Sequence, residues 1–249
     1  MHPGTAALDR GLHILQVLGK PEAAGRGLTV SELADTLTTD KSQISRTLAT
    51  LASRGFLDRD ERTRAYRIGP QIHLLAARTA EARLLHVAPP ILHGLVVDLG
   101  ESAHLSVRQD DSVLTLLSEV PTHTALVAPA RVGGLTPLAT TSAGRILALA
   151  LPSESLTLHG FDAAAIAAVE QARSDGYAIV REEFEAGLVA AAAPVLAPDG
   201  HVIAAINVSA PAFRFSDRLD EAATHVQIAA RLVANRLADP AAGTRRTTR

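Results

Sequence analysis

Residues 29–54 constrain the fold most, because they carry the beginnings, buried faces and ends of two consecutive helices. Thr29 and Glu32 have the spacing of a capping box, in which each side chain bonds the other residue's backbone N–H. Three residues, 38–40, then interrupt the helical pattern. The predicted buried face of the first helix consists of Val30, Leu33, Ala34 and Leu37.

The second of these helices is predicted to have Thr39 as its N-cap, with Asp40 in its first turn, and to end at Gly55. Its buried stripe is Ile44, Leu48 and Leu51, and no acidic residue lies between 41 and 54. Two short helices joined by a three-residue turn predict a helix-turn-helix, although an ordinary three-helix fold with a solvated polar face has the same pattern. The candidate DNA-contacting residues on the outer face are Lys41, Ser42, Gln43, Ser45, Arg46 and Thr50.

A hairpin is predicted directly after the second helix, with strands at 56–59 and 65–68. A hairpin in this position is a wing, and Arg62 and Arg64 at its tip are candidate contacts for phosphates or the minor groove. Asp60 and Glu61 lie beside them, so a plain charged turn is the alternative interpretation.

The net charge of −2 is a sum over two unlike segments of the 249 residues. Residues 1–69 hold ten Lys and Arg against eight acids, whereas residues 70–249 hold fourteen Arg against eighteen acids. This asymmetry favours a nucleic-acid module joined to another domain. The chain has no Cys, which excludes disulfides, thiolate nucleophiles and Cys-based metal sites.

Sequence motifs give no sign of an enzyme. The chain has no HExxH, GxxxxGK[ST], GxSxG or GxGxxG, so we predict no catalytic residue, no metal site and no cofactor. His104 and the other scattered histidines are expected to be exposed or satisfied within the core. There is no long apolar run and no pattern of a signal peptide, so no membrane contact is predicted and the expected compartment is the cytoplasm.

The second half of the chain has the mixed order of an α+β domain with an antiparallel sheet. A helix over 71–83 is predicted as a connector, and it is also a candidate dimer contact, although a simple core helix fits the pattern equally well. Ser216 is predicted to cap a long last helix, and residues 239–249 are predicted to form a disordered basic tail. Strands are predicted at 102–107, 112–119, 126–132, 177–181, 188–196 and 201–209, and helices at 91–99, 140–151 and 163–174.

Several stretches together resemble the IclR family of transcriptional regulators over nearly the whole chain. In the first half they are Leu8–Leu15, Leu28–Ala34, Lys41–Leu51, Arg54–Leu57 and Tyr66–Pro70. In the second half they are Gly100–Leu105, Gly176–Ala178, Glu182–Glu183, Gly187–Leu188, Ala192–Pro194 and Ala204–Pro211. Each piece is unspecific alone, whereas all of them in this order are specific.

The resemblance implies an α+β protein in which a winged helix-turn-helix is joined by a linker helix to a GAF-like effector-binding domain with an antiparallel sheet. It implies a sequence-specific regulator that binds a palindromic double-stranded operator as a dimer or a dimer of dimers. A metabolite-binding or scaffold protein with a vestigial DNA-binding domain is the alternative. The implied segments are 1–70 for DNA binding, 71–83 for the linker helix, 84–238 for effector binding and 239–249 for the tail.

The resemblance also implies a pocket for a small organic effector, commonly an acid or an aromatic metabolite. Better-known members with a small oxo-acid effector have an acid at the position of Val180, Cys at Ala190 and Ser at Asn207. The pocket of this chain is therefore expected to be more apolar, for a larger or less charged ligand. The turn of the helix-turn-helix also departs from the family pattern, since it has Thr38, Thr39 and Asp40 where a Gly, an apolar residue and a Pro are more usual. The implied effector-binding residues are Ser142, Ala143, Val180, Leu188, Ala190, Asn207 and Ser209.

Overall fold

The computed structural model describes residues 3–20, 22–23, 25–124 and 126–239. The chain forms two compact units, Met1–Ala82 and Arg83–Arg249. Residues 240–249 of the predicted basic tail lie outside the described residues.

The first unit is a helix-turn-helix followed by a two-stranded antiparallel wing. Its core is formed by apolar side chains of all three leading helices and the hairpin, among them Ile14, Leu33, Ile44, Leu48 and Leu57. The fold expected for this half of the chain is thus confirmed. Its elements are α1 (Pro3–Leu18), α2 (Val30–Thr36), α3 (Lys41–Ser53), β1 (Leu57–Arg59), β2 (Tyr66–Ile68) and α4 (Pro70–Ala76).

The predicted capping box at the start of α2 is confirmed. The Glu32 backbone N–H donates to the Thr29 hydroxyl at 3.3 Å, and the Thr29 backbone N–H donates to the Glu32 carboxylate at 2.8 Å. This backbone donor, with Arg26 at 2.7 Å from the same carboxylate, lowers the pKa of Glu32 to about 2. The entry to α2 is therefore fixed by local hydrogen bonds.

The turn between α2 and α3 differs from its predicted form. The residue at the N-cap position of α3 is Asp40, whose side chain makes no capping bond, so the prediction that Thr39 caps this helix is wrong. The Thr39 hydroxyl instead donates to the Leu37 carbonyl at 3.0 Å, which satisfies the end of α2. Thr38 has a φ of +49°, a left-handed conformation that a β-branched residue rarely adopts.

The connector predicted as one helix over 71–83 consists of two helices, α4 and α5 (Ala80–Val87). The Thr79 hydroxyl between them accepts a hydrogen bond from the Ala82 backbone N–H at 3.3 Å. A threonine that caps the next helix competes with helix continuation, and this capping preference overrides the apolar periodicity that suggested one helix.

The second unit is built on a six-stranded antiparallel sheet of order β5-β4-β3-β8-β7-β6. Helices α6 and α10 pack on one face, and α7 and α8 pack on the other. The expected antiparallel α+β fold is confirmed. The remaining elements are α6 (Pro89–Leu99), β3 (Ser102–Gln109), β4 (Ser112–Glu119), β5 (Leu135–Pro137), α7 (Ser142–Leu147), α8 (Ala163–Asp175), β6 (Ala178–Arg181), β7 (Leu188–Leu196), β8 (Val202–Pro211), α9 (Ala212–Phe215) and α10 (Leu219–Ala238).

Residues 126–132 form an irregular segment rather than the predicted strand. Side-chain donors hold this segment: the Ser209 hydroxyl bonds the Ala128 carbonyl at 3.1 Å, and Arg214 bonds the Leu126 carbonyl at 2.8 Å. Its apolar side chains line a cavity, described below, instead of one face of a strand. The run of apolar residues therefore reflects a partly exposed cavity wall without strand pairing.

The predicted cap of the last helix is also wrong. The Ser216 hydroxyl donates to the Ala212 carbonyl at 2.8 Å, and α10 begins at Leu219 after a 3₁₀ turn at Ser216–Arg218. The predicted buried stripe of α10 is confirmed from its first residue onward, at Leu219, Ala222, Val226, Ala229 and Val233.

Among the described residues, no single helix has the length and apolar character needed to cross a membrane. Two consecutive helices, Glu81–Val87 and Pro89–Leu99, reach this length and apolar character when taken together, but they are bent by 48° relative to each other. The apolar face of α6 in this pair is buried in the core of the second unit.

Candidate DNA-contacting helix and ligand cavity

The outer face of α3 presents polar and cationic side chains to solvent. Lys41 and Arg46 are exposed and form no ion pair with any residue that the structure describes. Ile44 and Leu48 anchor the opposite face in the core, which sets the rotation of the helix. Of the six candidate contacts on this helix, the exposed ones are Lys41, Ser42, Ser45, Arg46 and Thr50.

Gln43, the sixth candidate on α3, is half-buried and held at both ends of its amide. Its Oε1 accepts from Arg10 of α1, and its Nε2 donates to the Asp40 carboxylate at 3.3 Å. Arg10 also donates from Nε to the Thr47 hydroxyl at 3.1 Å. The amide of Gln43 is thereby oriented, and one N–H and one lone pair remain for another partner.

The wing has a turn built around Asp60. Its carboxylate accepts from the Thr63 backbone N–H at 2.7 Å, which lowers the pKa of Asp60, and it lies 3.6 Å from Arg67. Arg62 and Arg64 are exposed at the tip and have no ion-pair partner within the described part of the chain. Of the two acids beside the wing arginines, Asp60 is thus occupied within the hairpin, whereas Glu61 is exposed.

The second unit contains a cavity of about 660 Å³ on the sheet face that carries α7. The irregular segment 126–131 and the loop 184–187 contribute to its walls. The volume lies within the range of ordinary small-molecule sites. All seven sequence-predicted effector residues line it: Ser142, Ala143, Val180, Leu188, Ala190, Asn207 and Ser209.

His104 on β3 is a cavity residue whose place the sequence did not reveal. Its Nε2 lies 2.9 Å from the Ser209 hydroxyl and its Nδ1 lies 3.1 Å from the Ser118 hydroxyl. Because Ser209 donates its own proton to the Ala128 carbonyl, Nε2 is the donor to Ser209 and Nδ1 accepts from Ser118. Burial lowers the pKa of His104 to about 4, so the ring is neutral at pH 7.

The pairing of β3 with β8 places His104 on the cavity face of the sheet. Its register partner on β8 is Asn207, and paired residues on neighbouring strands point to the same face of the sheet. Once Asn207 is assigned to the cavity, His104 follows, provided that the pairing of β3 with β8 is known. The sequence gives the strands but not this pairing.

Two of the three carboxylates at 182, 183 and 185 have separate structural partners. Glu183 pairs with the buried Arg145 of α7, and Glu182 accepts from the Gly187 backbone N–H at 2.8 Å. Glu185 is exposed and lines the cavity. Within the described ranges, no group of three His, Asp or Glu residues is arranged to hold a metal ion.

Two family models match the chain, one for each half. The IclR helix-turn-helix domain matches residues 7–61, and the bacterial transcriptional regulator IclR C-terminal domain matches residues 76–235. Among curated proteins, the HTH-type transcriptional regulator BhcR of Paracoccus denitrificans is 34% identical over 229 residues, covering 86% of this chain and 80% of that one. The Pca regulon regulatory protein of Pseudomonas putida is 29% identical over 219 residues, covering 82% and 73%.

Solved structures share the fold of both units. An IclR homolog from Microbacterium hydrocarbonoxydans, complexed with 4-hydroxybenzoate, has a TM-score of 0.75 at 22% identity and covers 93% of this chain and 99% of its own. An IclR transcriptional regulator from Alicyclobacillus acidocaldarius has a TM-score of 0.71 at 22% identity, with 92% and 98% covered.

Proposed function

Because the chain belongs to the IclR family of bacterial transcriptional regulators, we propose that it binds a palindromic operator as a homo-oligomer and responds to a small organic effector. In this proposal DNA binding belongs to residues 1–70, coupling to 71–83 and effector binding to 84–238. A protein that acts on chromosomal DNA in this way works in the cytoplasm, by binding and not by catalysis.

The observation that carries the proposal is the exposed face of α3. A recognition helix needs cations for phosphates and short polar side chains for base edges, and α3 presents both on its side away from the core. Arg46 lies near the middle of this face, where a bidentate contact to guanine is sterically open. Arg62 and Arg64 on the wing supply additional phosphate contacts.

The cavity supports the effector half of the proposal. A relative with the same fold is complexed with 4-hydroxybenzoate, and this chain has a cavity of a size suited to such a molecule. We assign effector contact to the seven predicted lining residues named above. Binding changes operator affinity only if the effector prefers one arrangement of the DNA-binding units over another.

Exposed apolar side chains support self-association. Leu8 and Leu12 of α1 are exposed, and so are Leu74 and Leu75 of α4, a helix with no buried residue. Neighbouring exposed leucines on short helices are typical of surfaces that a partner covers. We propose that a second copy of the chain covers them.

Fluorescence anisotropy with DNA from the chain's own promoter region tests the proposal. Arg46→Ala should weaken operator binding by about 1–3 kcal/mol and relax sequence preference at one base pair. Arg231→Ala, which removes an exposed arginine of α10, is the matched control and should leave affinity unchanged. Equal affinities for wild type and Arg46→Ala would contradict the assignment of α3, and no DNA binding at all would favour a vestigial DNA-binding domain.

A further inference from the structure

The polar groups of the cavity wall fall into a satisfied set and a free set. The lining residues His104 and Ser209 are satisfied by a hydrogen-bond chain that starts at the hydroxyl of Ser118, outside the lining, and ends at the Ala128 carbonyl. The side chain of Asn207 has no hydrogen-bond partner among the residues that the structure describes, although it is only 8% exposed. The wall therefore keeps one buried amide for a molecule that is not part of the chain.

Although Asn207 as a residue is buried, its amide atoms open onto the cavity, since the fully enclosed side-chain atoms without a partner among the described residues are Ser102 Oγ and Arg145 Nε. A molecule that fills the cavity displaces water from this amide and must replace its hydrogen bonds. Asn207 offers both a donor and an acceptor, so its complement is a group such as a hydroxyl or a carbonyl. Ser106 and Thr115 also line the cavity as buried residues, and their hydroxyls, which face the cavity, lack a partner within the same described residues. These three side chains together form what we call the inner wall.

The inner wall carries no charge. His104 beside it is neutral at pH 7 because its pKa is about 4, and the lining holds no buried Asp, Glu, Lys or Arg. The charged lining residues are Arg131 and Glu185, and both are exposed. Arg131 forms no ion pair with any described residue. A carboxylate placed against the inner wall would lose hydration without gaining a cation, whereas one beside Arg131 would keep both water and a partner.

We propose that the effector is a monoanion that lies with a neutral hydroxyl or carbonyl against Asn207 and with its carboxylate beside Arg131. The inference rests on the proposed function, since it names the ligand class of the same cavity. The apolar walls, which include Val113, Val180 and Leu188, favour a ring or a branched hydrocarbon between the two polar ends. A dicarboxylate of equal length should bind more weakly, because its inner carboxylate would lose hydration and meet only uncharged groups.

Isothermal titration calorimetry with matched probes tests the inner end. Wild type should bind 4-hydroxybenzoate at least about tenfold more tightly than terephthalate, which differs by an inner carboxylate. It should also bind 4-hydroxybenzoate about tenfold more tightly than 4-methylbenzoate, which has the same shape without the hydroxyl. In Asn207→Leu the second preference should disappear. The comparison with terephthalate needs no variant, so it stands even where Asn207→Leu does not fold.

The outer end has its own pair of variants. Arg131→Gln should weaken 4-hydroxybenzoate by about threefold to fivefold, because an exposed ion pair contributes little, and should leave neutral 4-hydroxybenzamide unchanged. Arg231→Gln, on α10, is the matched control and should change neither. If Arg131→Gln weakens the affinities for 4-hydroxybenzoate and 4-hydroxybenzamide equally, Arg131 contributes packing and not charge, and its role as the charge partner is overturned.

Three results would overturn the inner-wall assignment: terephthalate binding as tightly as 4-hydroxybenzoate, a hydroxyl preference that persists in Asn207→Leu, or no binding of either monoanionic probe at millimolar concentration. The proposed function is judged separately, by operator binding without ligand. A chain that binds its operator and gives any of these three results loses the inference and keeps the function.

Discussion

The outer face of α3 and the inner wall of the cavity, which we propose to bind DNA and an effector, differ in exposure and charge. Lys41 and Arg46 on α3 are exposed and form no ion pair with another described residue, whereas Asn207 is a buried residue with an uncharged amide. Exposed cations attract a polyanion over nanometre distances and are screened by salt, whereas a buried amide acts only on contact and senses salt little. In the proposed function, long-range attraction and short-range selection therefore belong to different units of one chain.

The largest expected effect is a loss of stability in the second unit, which holds the cavity. A Cβ added to Gly144 in α7 would lie 2.0 Å from the backbone carbonyl oxygen of Leu138, so the backbone of one of the two residues must shift. Gly144→Ala should therefore lower the free energy of unfolding by about 3 kcal/mol or more, measured by urea denaturation.

Gly94→Ala is the control for that substitution. Gly94 lies within α6 and an added Cβ would meet nothing within 4 Å. Alanine there should stabilise the protein by about 0.5–1 kcal/mol, because it favours the helix more than glycine does. Similar destabilisation by both substitutions would refute the close packing of α7 on residue 138.

The second effect is the pH dependence that His104 gives to the free energy of unfolding of the second unit. The folded pKa of about 4 lies below the usual 6.5, so the unfolded chain takes up a proton first as pH falls. Stability is therefore lost on acidification through this window, by about 2 kcal/mol between pH 7 and pH 4.5. Denaturation curves of wild type and His104→Gln at both pH values measure this change.

In His104→Gln the titrating ring is absent, so the same acidification should cost about 2 kcal/mol less than in wild type. The comparison uses the change with pH, which is independent of any loss that the substitution causes at pH 7. Parallel pH profiles for the two proteins would mean that His104 is not held neutral.

The third effect is a loss of operator affinity when the wing arginines are removed. Replacing Arg62 and Arg64 together by alanine should weaken operator binding by about 1 kcal/mol at low salt and lower the slope of log affinity against log salt by about 1 for each lost phosphate contact. The affinity of the cavity for 4-hydroxybenzoate should stay the same. An unchanged salt slope would show that the wing does not reach DNA.

The smallest effect concerns the turn that leads into α3. Thr38 has a φ of +49°, which glycine adopts without steric cost. Thr38→Gly should raise the free energy of unfolding by about 0.5 kcal/mol, the remainder being offset by the greater chain entropy of glycine. Destabilisation by this substitution would mean that the threonine side chain contributes a contact that outweighs its backbone strain.

The sequence predicted the elements that rest on local signals. The capping box at Thr29 and Glu32 and the apolar stripes of α3 and α10 all follow from spacing along one helix, and each is confirmed. The seven lining residues came from a family resemblance, and the structure gathers them around one cavity. Whether they bind an effector stays a prediction.

The errors have two physical causes: contacts between residues far apart in sequence, and local side-chain hydrogen bonds that compete with a helix cap. Residues 126–132 look like a strand because they are apolar, yet Ser209 and Arg214 hold them as an irregular wall of the cavity. Ser216 and Thr39 look like helix caps, yet each hydroxyl bonds a carbonyl of the preceding turn. His104 became a cavity residue only through the pairing of β3 with β8, which no local pattern encodes.

The most direct test of the account is the affinity for operator DNA measured at increasing concentrations of the tightest-binding monoanionic probe. We expect operator affinity to change with a midpoint at the probe concentration that equals its dissociation constant for the cavity. In Asn207→Leu, this midpoint and the dissociation constant of the probe should rise to the same higher concentration. Operator affinity that stays constant while the cavity becomes saturated would contradict the coupling of the two surfaces.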